Sequence, residues 1–130
     1  MTRARVLLVE DNDLNRALVR AILSRAHDPR IRGAELIEAQ NLLQARAVLA
    51  TMAIDVVLLD VGLPDGSGLS LVDELATAND RTRPRVIAIT GGVLPEQRAA
   101  AAAAGCDAIL TKPYVSADLI ALLAAHLLPD

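Results

Sequence analysis

The sequence predicts an α/β fold, a doubly wound five-stranded parallel sheet flanked by five helices. Short apolar runs rich in Val and Ile alternate with longer segments of helical spacing. No segment repeats, and a length of 130 residues suits one compact unit with a core of its own. Strand and helix patterns in alternation make βαβ units, whose right-handed crossovers place helices on both faces of the sheet.

The first strand is Val6–Val9, an unbroken apolar run of the kind buried on both faces. A helix follows, capped by Asn12 or Asp13, with Leu14, Ala17, Leu18, Ala21 and Ile22 on its apolar face. His27–Gly33 reads as a surface loop leading to a weaker strand, Glu35–Ala39, and a second helix from about Asn41 to Met52. Asp55–Leu59 is the third and most apolar strand, and the next helix begins near Ser67 and buries Leu71, Val72 and Leu75. The fourth strand is Val86–Ile89. Its helix opens on Pro95, runs through six alanines and stops at Gly105. Ala108–Leu110 is the last strand. The closing helix, capped by Ser116, carries Leu119, Ile120, Leu122, Leu123 and Leu127 until Pro129 ends it.

Composition narrows the function. Hydrophobic residues make up 53% of the chain and aromatic ones 1%, with neither Phe nor Trp and a single Tyr, so the core is aliphatic. A net charge of -3 with scattered arginines offers no basic stripe and no stacking platform, which argues against direct nucleic-acid binding. No run approaches the ~20 apolar residues that span a bilayer, so membrane insertion is not expected. A lone Cys106 forms no internal disulfide and agrees with a cytoplasmic location. Of the 13 basic residues, 12 are Arg, and the one lysine is Lys112.

In an open parallel sheet, ligands bind at the carboxyl ends of the strands. Four of the five strands here exit into polar groups: Glu10 and Asp11 after the first, Asp60 after the third, Thr90 and Gly91 after the fourth, Thr111 and Lys112 after the fifth. Three carboxylates on one edge repel one another unless a cation sits among them. Hard oxygen ligands favour Mg²⁺, Mn²⁺ or Ca²⁺ over zinc. A few carboxylates leave such an ion open positions for water and a phosphoryl oxygen, which points to phosphoryl chemistry with Asp60 as acyl-phosphate nucleophile. Lys112 supplies a compact ammonium, Thr90 a hydroxyl, and Gly91 room for the phosphoryl group.

The motifs "VLLVEDN" (6–12), "DVVLLDVGLPDGSGL" (55–69), "VIAITGG" (86–92) and "AGCDAILTKP" (104–113), with a closing helix, resemble those of a response-regulator receiver domain of two-component signalling. The resemblance implies the flavodoxin-like strand order 2-1-3-4-5. It implies Asp60 as phosphoacceptor, with Mg²⁺, or Mn²⁺ in its place, held by Asp11, Asp60 and the carbonyl of Gly62, and by Glu10 through a water. Thr90 becomes the switch hydroxyl and Lys112 the phosphate-contacting lysine. The phosphodonor would be a sensor histidine kinase or a histidine phosphotransfer protein, with small acyl phosphates as substitutes. The output would be binding of a downstream protein target, or a homodimer on phosphorylation. Such a domain is a signalling phosphoacceptor rather than an enzyme, with at most slow self-phosphorylation and self-dephosphorylation.

Some positions depart from the family pattern. Ile109 stands three residues before the lysine, where Tyr or Phe is common, so coupled aromatic switching is not expected. Gly62 and Gly92, two residues beyond Asp60 and Thr90, place no side chain over the phosphoryl group. Residues 1–130 read as one receiver domain with no output domain. The start at Met1 favours a stand-alone carrier over the alternative, a receiver segment of a hybrid histidine kinase or longer regulator. An aspartyl-phosphate phosphatase is a further alternative, disfavoured because Gly62 stands where that chemistry places a second Asp. A binding module that has lost phosphorylation is disfavoured because the pocket residues are all present.

Overall fold

A computed structural model describes residues 3–77, 83–91 and 95–127. The elements, in chain order, are β1 (Arg5–Val9), α1 (Asp13–Ser24), α2 (Pro29–Arg32), β2 (Glu35–Ala39), α3 (Leu42–Thr51) and β3 (Val56–Asp60). There follow β4 (Gly62–Leu63), β5 (Gly66–Ser67), α4 (Gly68–Thr77), β6 (Arg85–Thr90), α5 (Pro95–Ala104), β7 (Ala108–Thr111) and α6 (Ser116–His126). The main sheet has the order β2-β1-β3-β6-β7, every pair parallel. Since β6 and β7 are its fourth and fifth strands, this is the expected order 2-1-3-4-5. The expected doubly wound fold is therefore present, with β4 and β5 adding a small antiparallel hairpin.

Because side chains alternate across a strand, each strand feeds two cores. Val6, Leu8, Val56, Leu58, Ile87 and Ile89 point to one face, where they meet Val19, Ile22 and Leu23 of α1 and Leu119 and Leu123 of α6. Leu7, Val9, Val57, Leu59 and Val86 point to the other, against Leu42 and Ala45 of α3 and Leu71 and Val72 of α4. Burial on both faces explains why these strands are unbroken apolar runs. It also leaves one consistent place for polar groups, the strand ends.

Asparagine caps open α1 and α3, whereas the serine expected to cap α6 does not. Asn12 Oδ1 accepts from the Asn15 amide at 2.9 Å, and Asn41 Oδ1 from the Gln44 amide at 2.8 Å, so each asparagine satisfies an amide that the first turn leaves unpaired. At α6, Ser116 is already helical. The cap is Val115, which has no side chain able to accept a hydrogen bond, so the expected Ser116 cap is corrected. Pro129 and Gly92 lie outside the described residues.

The face of α1 is also corrected. Leu14 and Leu18 are 77% and 53% exposed, and the buried residues are Arg16, Val19, Ile22 and Leu23. Apolar residues cover so much of this helix that spacing alone admits two phases, and contact with the sheet selects the one containing an arginine. The segment 27–33 is likewise more than a loop. Asp28 caps the single turn α2, Ile31 is buried in the first core, and Arg30 donates to the carbonyls of Ala124 and Leu127 at the end of α6. Ile31→Ala should therefore lower unfolding free energy by about 2–5 kcal/mol, as for a core residue. Replacing the exposed His27 by Ala should change it by no more than about 0.5 kcal/mol. Urea unfolding midpoints check both.

Candidate functional site

The carboxyl edge of the sheet carries the site. β1 ends one residue before Glu10, and the parallel pairing of Val9 with Leu59 places the end of β1 beside that of β3, whose last residue is Asp60. One carboxylate oxygen from each of Glu10, Asp11 and Asp60 lies within 4.8 Å of the others. Glu10 is almost wholly buried at 5% exposure, whereas Asp11 is exposed. Thr90 ends β6, and its carbonyl accepts from the Lys112 amide at 2.8 Å, which ties the strand end carrying the hydroxyl to the residue carrying the ammonium.

Glu10 and Asp60 each meet hydrogen-bond donors. Lys112 Nζ lies 3.4 Å from Glu10 Oε1 and 3.5 Å from Asp60 Oδ2. The Gly62 amide donates to Asp60 Oδ1 at 3.1 Å, and the Asn12 amide to Glu10 Oε2 at 3.4 Å. Burial works to lower the pKa of the Lys112 ammonium, but attraction from Asp60 and Glu10 outweighs it and the net shift is upward. The Lys112–Pro113 peptide is cis. The next residue, Tyr114, is half-buried, and burial raises the pKa of its hydroxyl even though Lys112 opposes the shift.

Close packing fixes Asp60 from behind. A Cβ on Gly68 would stand 2.7 Å from the Asp60 carbonyl oxygen and 3.1 Å from Leu59 Cγ, so helix α4 starts against the strand end because Gly68 has no side chain. The loop between β3 and α4 is also held from the side. Asp65 accepts from the amides of Leu42 and Leu43 at 3.0 and 3.2 Å, at the start of α3, and these bonds hold its carboxyl below the usual carboxylate range. Gly62 and Gly91 have open space where a Cβ would stand. Gly68 is thus required by packing.

The sequence-predicted residues Glu10, Asp11, Asp60, Gly62 and Lys112 come together here. Thr90 lies on the neighbouring strand end. Three features were missed. Arg16 is buried at 7% exposure and donates from Nη1 to the Glu10 carbonyl at 2.8 Å. Asn15 and Leu18 of α1 line a cavity of about 340 Å³ beside Asp60, Lys112 and Tyr114. The spacing Arg16, Val19, Leu23, Ala26 is a signal that was available for the first. Cys106 is half-buried against the second core. Burial pushes its thiol up to about 11, with Asp107 adding to the shift.

Three carboxylates and one ammonium leave a formal charge of minus two, and all donors to a cation would be oxygens. That set fits a hard divalent ion such as Mg²⁺. Among the described residues it is the only group of His, Cys, Asp or Glu side chains clustered closely enough to hold one. His27 is exposed, and His126 Nδ1 lies 2.7 Å from the Leu122 carbonyl oxygen of its own helix. No described helix is long and apolar enough to cross a membrane.

Fold and site together define a doubly wound α/β domain with an acidic, lysine-bearing pocket at the topological edge where such sheets bind ligands. The chain belongs to the response regulator receiver domain family, whose model matches residues 6–124. It is 31% identical over 108 residues to the polar-differentiation response regulator DivK of Brucella anthropi, covering 83% of either chain. The chemotaxis response regulator CheY4 of Vibrio cholerae superposes with a TM-score of 0.83 at 26% identity, over 97% of this chain and all of that one. A CheY-like receiver domain protein of Methanospirillum hungatei, 24% identical over 95% of this chain and 93% of its own, shares the fold with a TM-score of 0.82. Receiver domains of this family are signalling modules of two-component systems.

The raised pKa of Lys112 fixes the sign of a pH effect. A lysine whose folded pKa exceeds its unfolded value of about 10.4 stabilises the fold fully below that pH and loses the contribution as pH rises through the folded value. The pH-dependent part of the stability difference between the metal-free wild type and Lys112→Met should be constant from neutral pH to about 9 and be lost at higher alkalinity. Paired urea titrations across that range check it, and a difference that does not shrink as the lysine is neutralised contradicts it.

Proposed function

We propose that this receiver domain is a Mg²⁺-dependent phosphoacceptor switch in which Asp60 takes the phosphoryl group. The observation that carries this reading is the convergence of Glu10, Asp11 and Asp60 within 4.8 Å, with the ammonium of Lys112 3.5 Å from Asp60. An Asp60 carboxylate oxygen attacks phosphorus, and the bond from phosphorus to the donor nitrogen or acyl oxygen breaks with its electron pair leaving on the donor. Mg²⁺, when bound, neutralises charge on the transferring oxygens. Asp11 and Asp60 would hold it through their side chains, Gly62 through its carbonyl, and Glu10 through a water.

Lys112 is already poised. Its two anionic contacts are longer than the 2.7–2.9 Å typical of a tight charged bond, so exchange of one for a phosphoryl oxygen sacrifices little. Thr90 then offers its hydroxyl to a second oxygen, and β6 and β7 move together because the Thr90 carbonyl accepts from the Lys112 amide. The output is an altered surface on α5, β7 and α6 for a downstream protein, or for a second copy of this chain. The donor is a sensor histidine kinase or a histidine phosphotransfer protein. Self-phosphorylation and self-dephosphorylation are at most slow, and the protein acts as a signal carrier rather than an enzyme.

Incubation with a small acyl phosphate and Mg²⁺ should add the mass of one phosphoryl group, and Asp60→Asn should add none. Equal labelling of the two proteins in intact-mass spectra would sink the assignment. Lys112→Ala should still be phosphorylated but show a weakened conformational response, read as amide chemical-shift changes at Thr90 and in α5.

A further inference from the structure

Arg16 is the one cation buried among the described residues, and its surroundings tie it to the acidic pocket rather than to the core in general. It lies on the face of α1 that carries Val19, Ile22 and Leu23. A guanidinium is tolerated in such a place only when its donors are matched, because burial strips its water. Here all three nitrogens are engaged. Nη1 donates to the main-chain carbonyl of Glu10 at 2.8 Å, Nη2 pairs with Asp13, and Nε lies 3.5 Å from Glu38 Oε1. Glu38 is itself gripped by Arg20, whose Nε and Nη2 donate at 3.0 and 2.9 Å. Those bonds, with a smaller contribution from Arg16, hold the Glu38 carboxyl below its usual range and keep it charged at neutral pH.

The guanidinium therefore spans the loop between β1 and α1. It holds the carbonyl where the chain enters that loop and the carboxylate of Asp13 where it leaves, and it anchors both to β2 through Glu38. The loop carries Glu10 and Asp11. We propose that Arg16 is a positioning residue for the metal pocket: it fixes the peptide at Glu10 so that the Glu10 and Asp11 carboxylates face Asp60. This rests on the reading that the pocket takes Mg²⁺.

The proposal has a sign that a simpler account does not share. A nearby guanidinium acting through its charge alone opposes cation binding, so its removal would tighten the metal. A guanidinium that only stabilises the fold leaves the affinity of folded molecules unchanged. One that orients the ligands makes its removal weaken binding, and supporting residues around metal ligands typically contribute about 10–100-fold in affinity.

Mg²⁺ titrations of the full chain, by calorimetry and by the fluorescence of Tyr114, separate these cases. Tyr114 is the only aromatic residue and lines the cavity shared with Asp60 and Lys112, so its signal reports the site directly. Arg16→Met is expected to weaken Mg²⁺ about tenfold. Arg16→Lys should weaken it by about threefold, because an ammonium lacks the planar fork that meets three partners at once. Circular dichroism of the metal-free proteins establishes that the folded state is being compared. Unchanged or tighter Mg²⁺ binding in folded Arg16→Met overturns the role of Arg16 and leaves the metal reading intact. If Arg16→Met does not fold, Arg16→Lys decides alone, and wild-type affinity in it overturns the proposal. Absence of Mg²⁺ binding by the wild-type chain overturns the metal reading and this proposal with it.

Discussion

Two like charges about 4 Å apart repel by about 4 kcal/mol at an effective dielectric constant near 20, and three carboxylates converge at the carboxyl edge of this sheet within 4.8 Å. Much of the surrounding structure serves to offset that repulsion. Lys112 lies between Glu10 and Asp60, and backbone amides from Asn12 and Gly62 meet one oxygen of each. The exposed Asp11 keeps access to solvent. A formal charge excess of minus two remains, and the arrangement suits a divalent cation. The site is thus a region of electrostatic tension that the fold relieves in part.

Holding that arrangement requires a stiff frame, and the doubly wound topology supplies it. The strands that carry the acids are buried on both faces, so the direction in which they end is fixed by the packing of two cores rather than by loop contacts. Gly68 lets α4 start against the Asp60 carbonyl, and Asp65 fastens the following loop to the start of α3. On the opposite side of the pocket, Arg16 and Glu38 secure the loop after β1. The transmission side is built differently. Ile109, half-buried on β7, has no polar tip to exchange between water and protein, and the nearby ring is Tyr114, packed against the first core. Under the proposed function, a signal leaving Asp60 would run through Thr90 and Lys112, which are joined by a main-chain hydrogen bond, rather than through a rotating ring at position 109.

The readability of the elements follows from their burial. The middle residues of β1, β3 and β6 are apolar because both faces are covered, and α3 is bounded as expected by Asn41 and Met52 because the asparagine cap is a local interaction. The misreadings share a cause. The phase of α1 and the burial of Ile31 in α2 depend on which side of a segment meets the sheet or α6, and spacing within the segment carries no such information. Serine commonly caps helices, but here the backbone is already helical at Ser116.

By itself, the sequence determined the alternation of strands and helices, the aliphatic core and the polar residues at the strand ends. These are written in local patterns of solubility and hydrogen-bonding capacity that hold wherever the segment lies. Only the tertiary structure decided that Glu10, Asp11 and Asp60 share one small volume, that Gly68 is required by a backbone 2.7 Å away, and that an arginine belongs inside. Each of those depends on distances between segments far apart in the chain, and such distances exist only once the strands have paired in register. Arg16 shows this most directly: as a residue in a helix it reads as surface charge. Once α1 packs on the sheet, the Glu10 carbonyl, Asp13 and Glu38 surround it, and the same charge becomes part of the support for the acidic pocket.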